Sequence, residues 1–340
     1  MMKAVAIVDE KRAEVVERPV PELKPNEVLL RIERCMLCTW EQRVFLRLQP
    51  YPIPYIGGHE FAGTIAAVGS DLDPARYPIG KKATGRVIPF CGECPSCRRG
   101  AENMCETQDQ ANNFGGLAEY LAVPVNQLYM VGDDVPFERL AFAEPLGCVI
   151  TCFDKLHIQL GDDVVIIGAG MMGMLNLLVA KHLGARVIVS EPDAAKRALA
   201  QKLGADAVVD PMQEDAVAFV RKETDGHGAR AVINCVTFKS IIPQCMAMLA
   251  IKGTFLMFGK MFPDGKVEFD LNEIHDHEYV VTGTMSASVS AFQRSVNLLE
   301  KGILKPETLG LLHATFEKEQ CQTAFEEAIR PETYRVAIHF

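Results

Sequence analysis

The sequence predicts an α/β protein: a doubly wound parallel sheet joined to a β-rich domain. Three observations carry that prediction. From Asp163 onward, apolar β patterns alternate with helical ones. Before Leu146 the chain shows only short β patterns broken by Pro and Gly. The change of character near Leu146 separates the two parts.

In the first part strands are expected at Met1–Asp9, Glu27–Ile32, Phe61–Val68, Arg86–Pro89 and Ala118–Val123, short enough to suit a barrel-like domain. In the second they are expected at Val164–Ile167, Arg186–Ser190, Ala207–Val209, Ala231–Cys235, Gly253–Phe258 and Tyr279–Thr282. Helical patterns at Met172–Leu183, Ala194–Leu203, Glu214–Lys222 and Ile241–Leu249 lie between them. Strands joined by crossover helices imply a parallel sheet with helices on both faces. A helix over Val289–Lys301 then leads to a last strand near Arg335–Phe340, expected to rejoin the first domain. The expected boundaries are 1–147, 148–286 and a return over 287–340.

Composition narrows the function. The chain has 340 residues, 49% hydrophobic and 23% charged, with a formal net charge of −9. An acidic balance without a basic run argues against a nucleic-acid partner. No stretch has the apolar length to span a bilayer, and the N-terminus reads as a strand rather than a signal peptide. Eleven cysteines without a secretory signal suggest thiols and metal sites in the cytoplasm.

Val164–Ile167 runs into Gly168-Ala169-Gly170-Met171-Met172-Gly173 and an apolar helix. A G-x-G-x-x-G turn between a strand and a helix is the Rossmann dinucleotide fingerprint: its glycines let a pyrophosphate approach the helix N-terminus. Glu191 closes the second strand, where a carboxylate accepts the ribose hydroxyls and repels a 2′-phosphate. NAD is therefore favoured over NADP. Lys196 and Arg197 leave a phosphate contact open, although both also read as the exposed face of a helix.

Cys91, Cys94, Cys97 and Cys105 follow the spacing C-x2-C-x2-C-x7-C, with Gly92, Pro95 and Gly100 supplying turns. Four such thiolates can close a tetrahedral structural zinc site. Disulfides and an iron–sulfur cluster are the competing readings, and the intracellular character of the chain favours zinc. A dehydrogenase that passes hydride from an alcohol to a nicotinamide needs a second kind of site, a Lewis acid with about three protein ligands and an open position. The candidates are Cys38, His59, Glu60 and Glu144. Singly, Cys38 also reads as a buried small residue, His59 as a turn histidine and Glu144 as a helix-start acid.

Taken in order, Cys38, Gly58-His59-Glu60, the four-cysteine knuckle, Gly115-Gly116-Leu117-Ala118-Glu119-Tyr120, Glu144-Pro145-Leu146 and the Gly168 turn resemble the zinc-dependent medium-chain alcohol dehydrogenase family. The nearest flavour is its polyol branch, which includes sorbitol and threonine dehydrogenases. The resemblance spans essentially the whole chain. It implies a GroES-like catalytic domain beside the Rossmann domain, two zinc ions per chain and a homo-dimer or homo-tetramer. It makes Cys38 and His59 zinc ligands. The family takes its carboxylate from either the G-H-E or the E-P motif, so Glu60 and Glu144 are both candidates. His59 and Glu60 can reach one ion only if the backbone is irregular, which Gly57-Gly58 permits. Glu41 falls where the family orients its histidine with an acid. Arg335 falls where the family contacts the cofactor pyrophosphate. Val236, Phe258 and Met285 stand at strand ends expected to wall the nicotinamide.

Two departures bear on mechanism. Trp40 stands where the family has a Ser or Thr, and Arg43 where it has a His, so the usual relay of the alcohol proton is missing. Trp40 also suits plain packing or an apolar wall against a sugar ring. Phe45–Tyr55 and Gln108–Phe114 are expected to shape the pocket. The remaining cysteines read as buried thiols. The sequence thus points to an NAD-dependent oxidation of a small-molecule secondary alcohol: a polyol, sugar or cyclitol. The rivals are a threonine-type amino-alcohol dehydrogenase, an NADP-linked aldehyde reductase and a non-enzymatic binding protein.

Overall fold

The computed structural model describes residues 1–107, 115–261 and 264–340. The expected pocket loop Gln108–Phe114 lies outside the described residues. The chain divides into one unit of Met1–Gly147 with Ala287–Phe340 and a second of Cys148–Ser286.

The strands are β1 (Met2–Asp9), β2 (Arg12–Arg18), β3 (Glu27–Met36), β4 (Glu60–Val68), β5 (Lys82–Gly85), β6 (Tyr120–Pro124) and β7 (Leu128–Met130), then β8 (Asp163–Ile167), β9 (Arg186–Ser190), β10 (Ala207–Val209), β11 (Ala229–Asn234), β12 (Leu249–Met257) and β13 (Val280–Gly283), and finally β14 (Leu312–Glu317) and β15 (Arg335–His339). In the first unit β1 and β2 form an antiparallel hairpin. The other strands run in the order β14-β15-β3-β4-β5-β7, with β6 also on β3. Strand β15 pairs antiparallel with the end of β3, Ala337 opposite Met36. The far C-terminal segment is therefore built into the sheet that leads to Cys38. Its core gathers Val28, Leu30, Phe45, Phe61, Phe325 and Ile338.

The second unit is a six-stranded, all-parallel sheet in the order β10-β9-β8-β11-β12-β13. Val164, Val165 and Ile166 of β8 are fully buried. Consecutive residues point to opposite faces, so both faces of this strand are buried and it reads as a continuous apolar run. The unit's strand order, with β8 at the centre, is that of a doubly wound Rossmann-type sheet.

The fold corrects several element expectations. Arg86–Pro89 is no strand; β5 occupies Lys82–Gly85 instead, and its ladder to β7 ends at Gly85. The apolar pair Val87-Ile88 suggested strand, but Pro89 brings no amide to a ladder. Strand β2 was not expected because charges at Arg12, Glu14, Glu17 and Arg18 dominate it, although Ala13 is buried. The seven-residue helix Thr39–Phe45 is likewise too short for periodicity to announce.

Candidate active site and metal centres

The cysteine knuckle is a local structure. Cys94 caps a single helical turn, Pro95–Arg98, with its sulfur accepting the Cys97 N–H and Pro95 set at the start. Sulfur–sulfur distances are 4.0 Å for Cys91–Cys97, 4.0 Å for Cys94–Cys105 and 3.7 Å for Cys91–Cys105. Four sulfurs about 2.3 Å from a tetrahedral zinc lie about 3.8 Å apart, so the donors already have the spacing that zinc requires. That spacing is far from a disulfide, and all eleven cysteines are free thiols. Amides of Glu93 and Cys94 donate to the Cys91 sulfur at 3.4 and 3.2 Å, and the Glu106 amide donates to Cys94 at 3.5 Å. A hydrogen bond from Thr107, with these amides, brings the Cys91 thiol down to about 6. Burial pushes Cys97 up to about 12. A cation among them is what lets all four carry charge together.

The second donor cluster is assembled from distant segments. Cys38 follows β3, His59 and Glu60 sit at the entry to β4, and donor atoms of all three lie within 4.8 Å of one another. Gly58 makes this possible with a φ of +97°; a Cβ there would lie 2.5 Å from the Leu117 nitrogen and 2.7 Å from the Cys35 sulfur. The irregular step lets consecutive residues share one focus. Glu144 opens the helix Ala143–Phe153 and is outside this group of three.

Glu41 is fully buried. Its Oε1 lies 3.1 Å from His59 Nδ1 and accepts the Gly58 amide at 3.0 Å. This arrangement fixes the ring and leaves Nε2 for a metal. Burial opposes charge on both partners, but each outweighs it for the other: Glu41 is held below the usual carboxylate range and His59 well above the usual imidazole range. Burial, then the charge of Glu60, pushes the Cys38 thiol up. Cys38 as thiolate and His59 through Nε2 would hold a metal ion, which would favour loss of both protons. Thiolate, imidazole and carboxylate are a donor set that zinc accepts.

Arg335, expected on the cofactor pyrophosphate, pairs with Glu60 of the donor cluster. Its Nε donates to Glu60 Oε2 at 2.8 Å and one terminal nitrogen to Oε1 at 2.7 Å; the latter also lies 3.7 Å from the Cys38 sulfur. The fork is buried, and the pairing of β15 with β3 delivers it there. Burial works against its charge, yet Glu60 more than compensates and holds it protonated. No local pattern announces this bond, which joins residues 275 apart.

In the second unit, Gly168 has a φ of +92°, and a Cβ there would lie 2.5 Å from Val236 Cγ1. A Cβ on Gly173 would meet the Gly168 oxygen at 1.9 Å, so the turn and helix close only with glycines. Gly170 precedes the twelve-residue helix Met171–His182, provides no side-chain cap and faces open space on its Cα. Met172 lies in that first turn. These uncapped amides are the cradle a pyrophosphate fits. Glu191 is buried at the end of β9, and its two oxygens accept the amides of Ala169 at 2.7 Å and Asp193 at 2.9 Å. Arg197 is committed to the carbonyls of Glu191 and Pro192 and to Asp210. Lys196 is half-buried, its amide taken by the capping Asp193. Val236, Phe258 and Met285 follow β11, β12 and β13, three adjacent strands, at their carboxyl ends.

Two family descriptions match this chain: Alcohol dehydrogenase GroES-like domain over residues 24–133, and Zinc-binding dehydrogenase over residues 172–301. The chain belongs to the zinc-dependent medium-chain alcohol dehydrogenase family. It is 34% identical over 285 residues to an L-threonine 3-dehydrogenase of Pyrococcus furiosus, covering 80% of each chain. It is 27% identical over 330 residues to a D-arabitol-phosphate dehydrogenase of Enterococcus avium, covering 95% of this chain and 92% of that one. Among solved structures, an alcohol dehydrogenase from Thermus sp. ATN1 matches with a TM-score of 0.91 at 25% identity over 99% of both chains. A Sinorhizobium meliloti 1021 chain solved with NADP bound matches at 0.92 and 27% identity over 100% of this chain and 99% of that one. Among the described residues no helix is long and apolar enough to cross a membrane.

Proposed function

We propose that the protein oxidises a secondary alcohol, of polyol, sugar or cyclitol type, with NAD as the hydride acceptor. The observation that carries this reading is the convergence of Cys38, His59 and Glu60, drawn from separate segments onto one point. Zinc held there would supply a Lewis acid that lowers the pKa of the substrate hydroxyl, and NAD bound at the Gly168 turn would supply the hydride acceptor. Cys38 and His59 are the fixed ligands, with Glu41 orienting His59. Glu60 is the carboxylate brought within ligand distance, and Arg335 neutralises it when it is not coordinating. Glu144, whose charge also acts on Arg335, is the reserve acid of the same site. Cys91, Cys94, Cys97 and Cys105 would hold the second zinc, and four thiolates would leave no open position for substrate.

NAD is supported over NADP by the buried carboxylate of Glu191 and by the commitment of Arg197 to Asp210. A homo-oligomer is supported by β13, a sheet edge whose Val280, Val281 and nearby Met285 are 49%, 40% and 45% exposed. Eleven cysteines outside any disulfide, five of them in donor clusters, suit the reducing cytoplasm.

A panel of polyols, sugars, cyclitols and amino alcohols, assayed with NAD and with NADP for reduced-nicotinamide absorbance, tests the reading alongside metal analysis. Two zincs per chain and NAD-linked oxidation of a polyol are expected. Turnover confined to threonine would move the assignment to the amino-alcohol class. One zinc and no nucleotide binding would overturn it.

A further inference from the structure

The carboxyl edge of the parallel sheet is tied by one fully buried amide, Asn234. Ile167, Asn234, Met257 and Gly283 stand opposite one another in register on β8, β11, β12 and β13. One or two residues beyond that line come Gly168, Val236, Phe258 and Met285, the turn and the strand ends expected to face the nucleotide.

Asn234 reaches its neighbours through side chain and backbone alike. Its Oδ1 accepts the Val236 amide at 3.1 Å, an Asx turn that bends the chain off β11. Its Nδ2 lies 3.5 Å from Met257 Sδ. Its backbone oxygen accepts the amides of Phe258 at 3.0 Å and Gly259 at 3.3 Å. The Met257 oxygen in turn accepts the Thr284 amide at 3.2 Å, which carries the tie to the end of β13. On the other side the Cys235 amide donates to the Ile167 oxygen at 3.0 Å, so the chain is clamped to β8 just before Val236. Val236 then leans over the dinucleotide turn, its Cγ1 filling the space that a Cβ on Gly168 would need.

A backbone N–H past the end of a strand has left the ladder and needs another acceptor. The Asx turn supplies one, and it fixes where Val236 points before any nucleotide arrives. A neutral amide suits the place, because it donates and accepts without bringing a charge into a fully buried position. Preorganisation of this kind lowers the ordering cost of binding, and the gain goes to the part of a ligand that meets the ordered wall.

We propose that Asn234 is a positioning residue for the nicotinamide ring, acting through Val236 and the backbone of Phe258 and Gly259. The proposal rests on the NAD-linked reading above and deepens it. The Gly168 turn and Glu191 serve the adenosine-diphosphate half of the cofactor, and Asn234 sets the wall for the half that takes the hydride.

Asn234→Leu keeps the volume and removes both side-chain hydrogen-bonding atoms. The test measures binding of ADP-ribose, which lacks nicotinamide, and of NADH, followed by the fluorescence of its reduced ring. The ADP-ribose Kd is expected to stay within about two-fold of wild type, while NADH affinity falls about ten-fold. Asn234→Ser, whose hydroxyl still offers the Val236 amide an acceptor, should lose less. Val236→Ala should show the same selective loss of NADH, and it carries the test if Asn234→Leu fails to fold. The double variant should lose little more than either single one, because the two residues act as one unit. An unchanged NADH affinity, or an equal loss for both nucleotides, overturns the positioning role and leaves the NAD reading intact. A wild type that binds neither nucleotide overturns both.

Discussion

The two donor clusters of the first unit are built on opposite plans. The knuckle draws four like ligands from fifteen consecutive residues and fixes them with nearby amides. The Cys38 cluster draws three unlike ligands from two segments and balances them with Glu41 and Arg335, one from yet another part of the chain. A local, all-sulfur site is closed and suits folding; a dispersed, mixed-donor site can leave a position for substrate. The difference also separates what loss of each should do.

The largest expected effect is on turnover. Cys38→Ser should reduce activity to background and remove one of two zincs, while the circular dichroism spectrum stays native; full activity would end the comparison. Next in size, Cys97→Ser should strike stability, because structural zinc supplies folding free energy directly. A fall in melting temperature of about ten degrees or more is expected, and a variant as stable as wild type would remove the structural role. Arg335→Met leaves Glu60 buried beside no cation. Breaking such a pair costs about 3–5 kcal/mol, to be read by denaturant titration of the metal-free protein, and added zinc should recover part of it. The smallest effect concerns the other unit. Glu191→Gln keeps an acceptor for the loop and removes the charge, so the preference for NAD over NADP should fall about ten-fold, or about 1.4 kcal/mol, in matched kcat/KM measurements.

What could be read in the sequence follows the same division. The Gly168 turn and the knuckle were legible because their chemistry lies in contiguous residues with fixed spacing. The parallel sheet was legible because β8 to β12 are apolar runs, even where ends moved by a few residues, as in Leu249–Met257. The bond from Arg335 to Glu60 was not, since it depends on β15 lying beside β3. The Trp40–Tyr55 contact was hidden for a related reason. A one-turn difference in where the helix Thr39–Phe45 begins would aim the indole elsewhere, and no local pattern reports that choice. Arg86–Pro89 shows the converse, a local pattern that tertiary pairing overruled.

The Arg335–Glu60 tie has a consequence for the order of events during synthesis. A ribosome makes Cys38, His59 and Glu60 long before it reaches β15. Until then the nascent sheet holds a carboxylate without its cation, so maturation of this catalytic centre waits on a strand made hundreds of residues later.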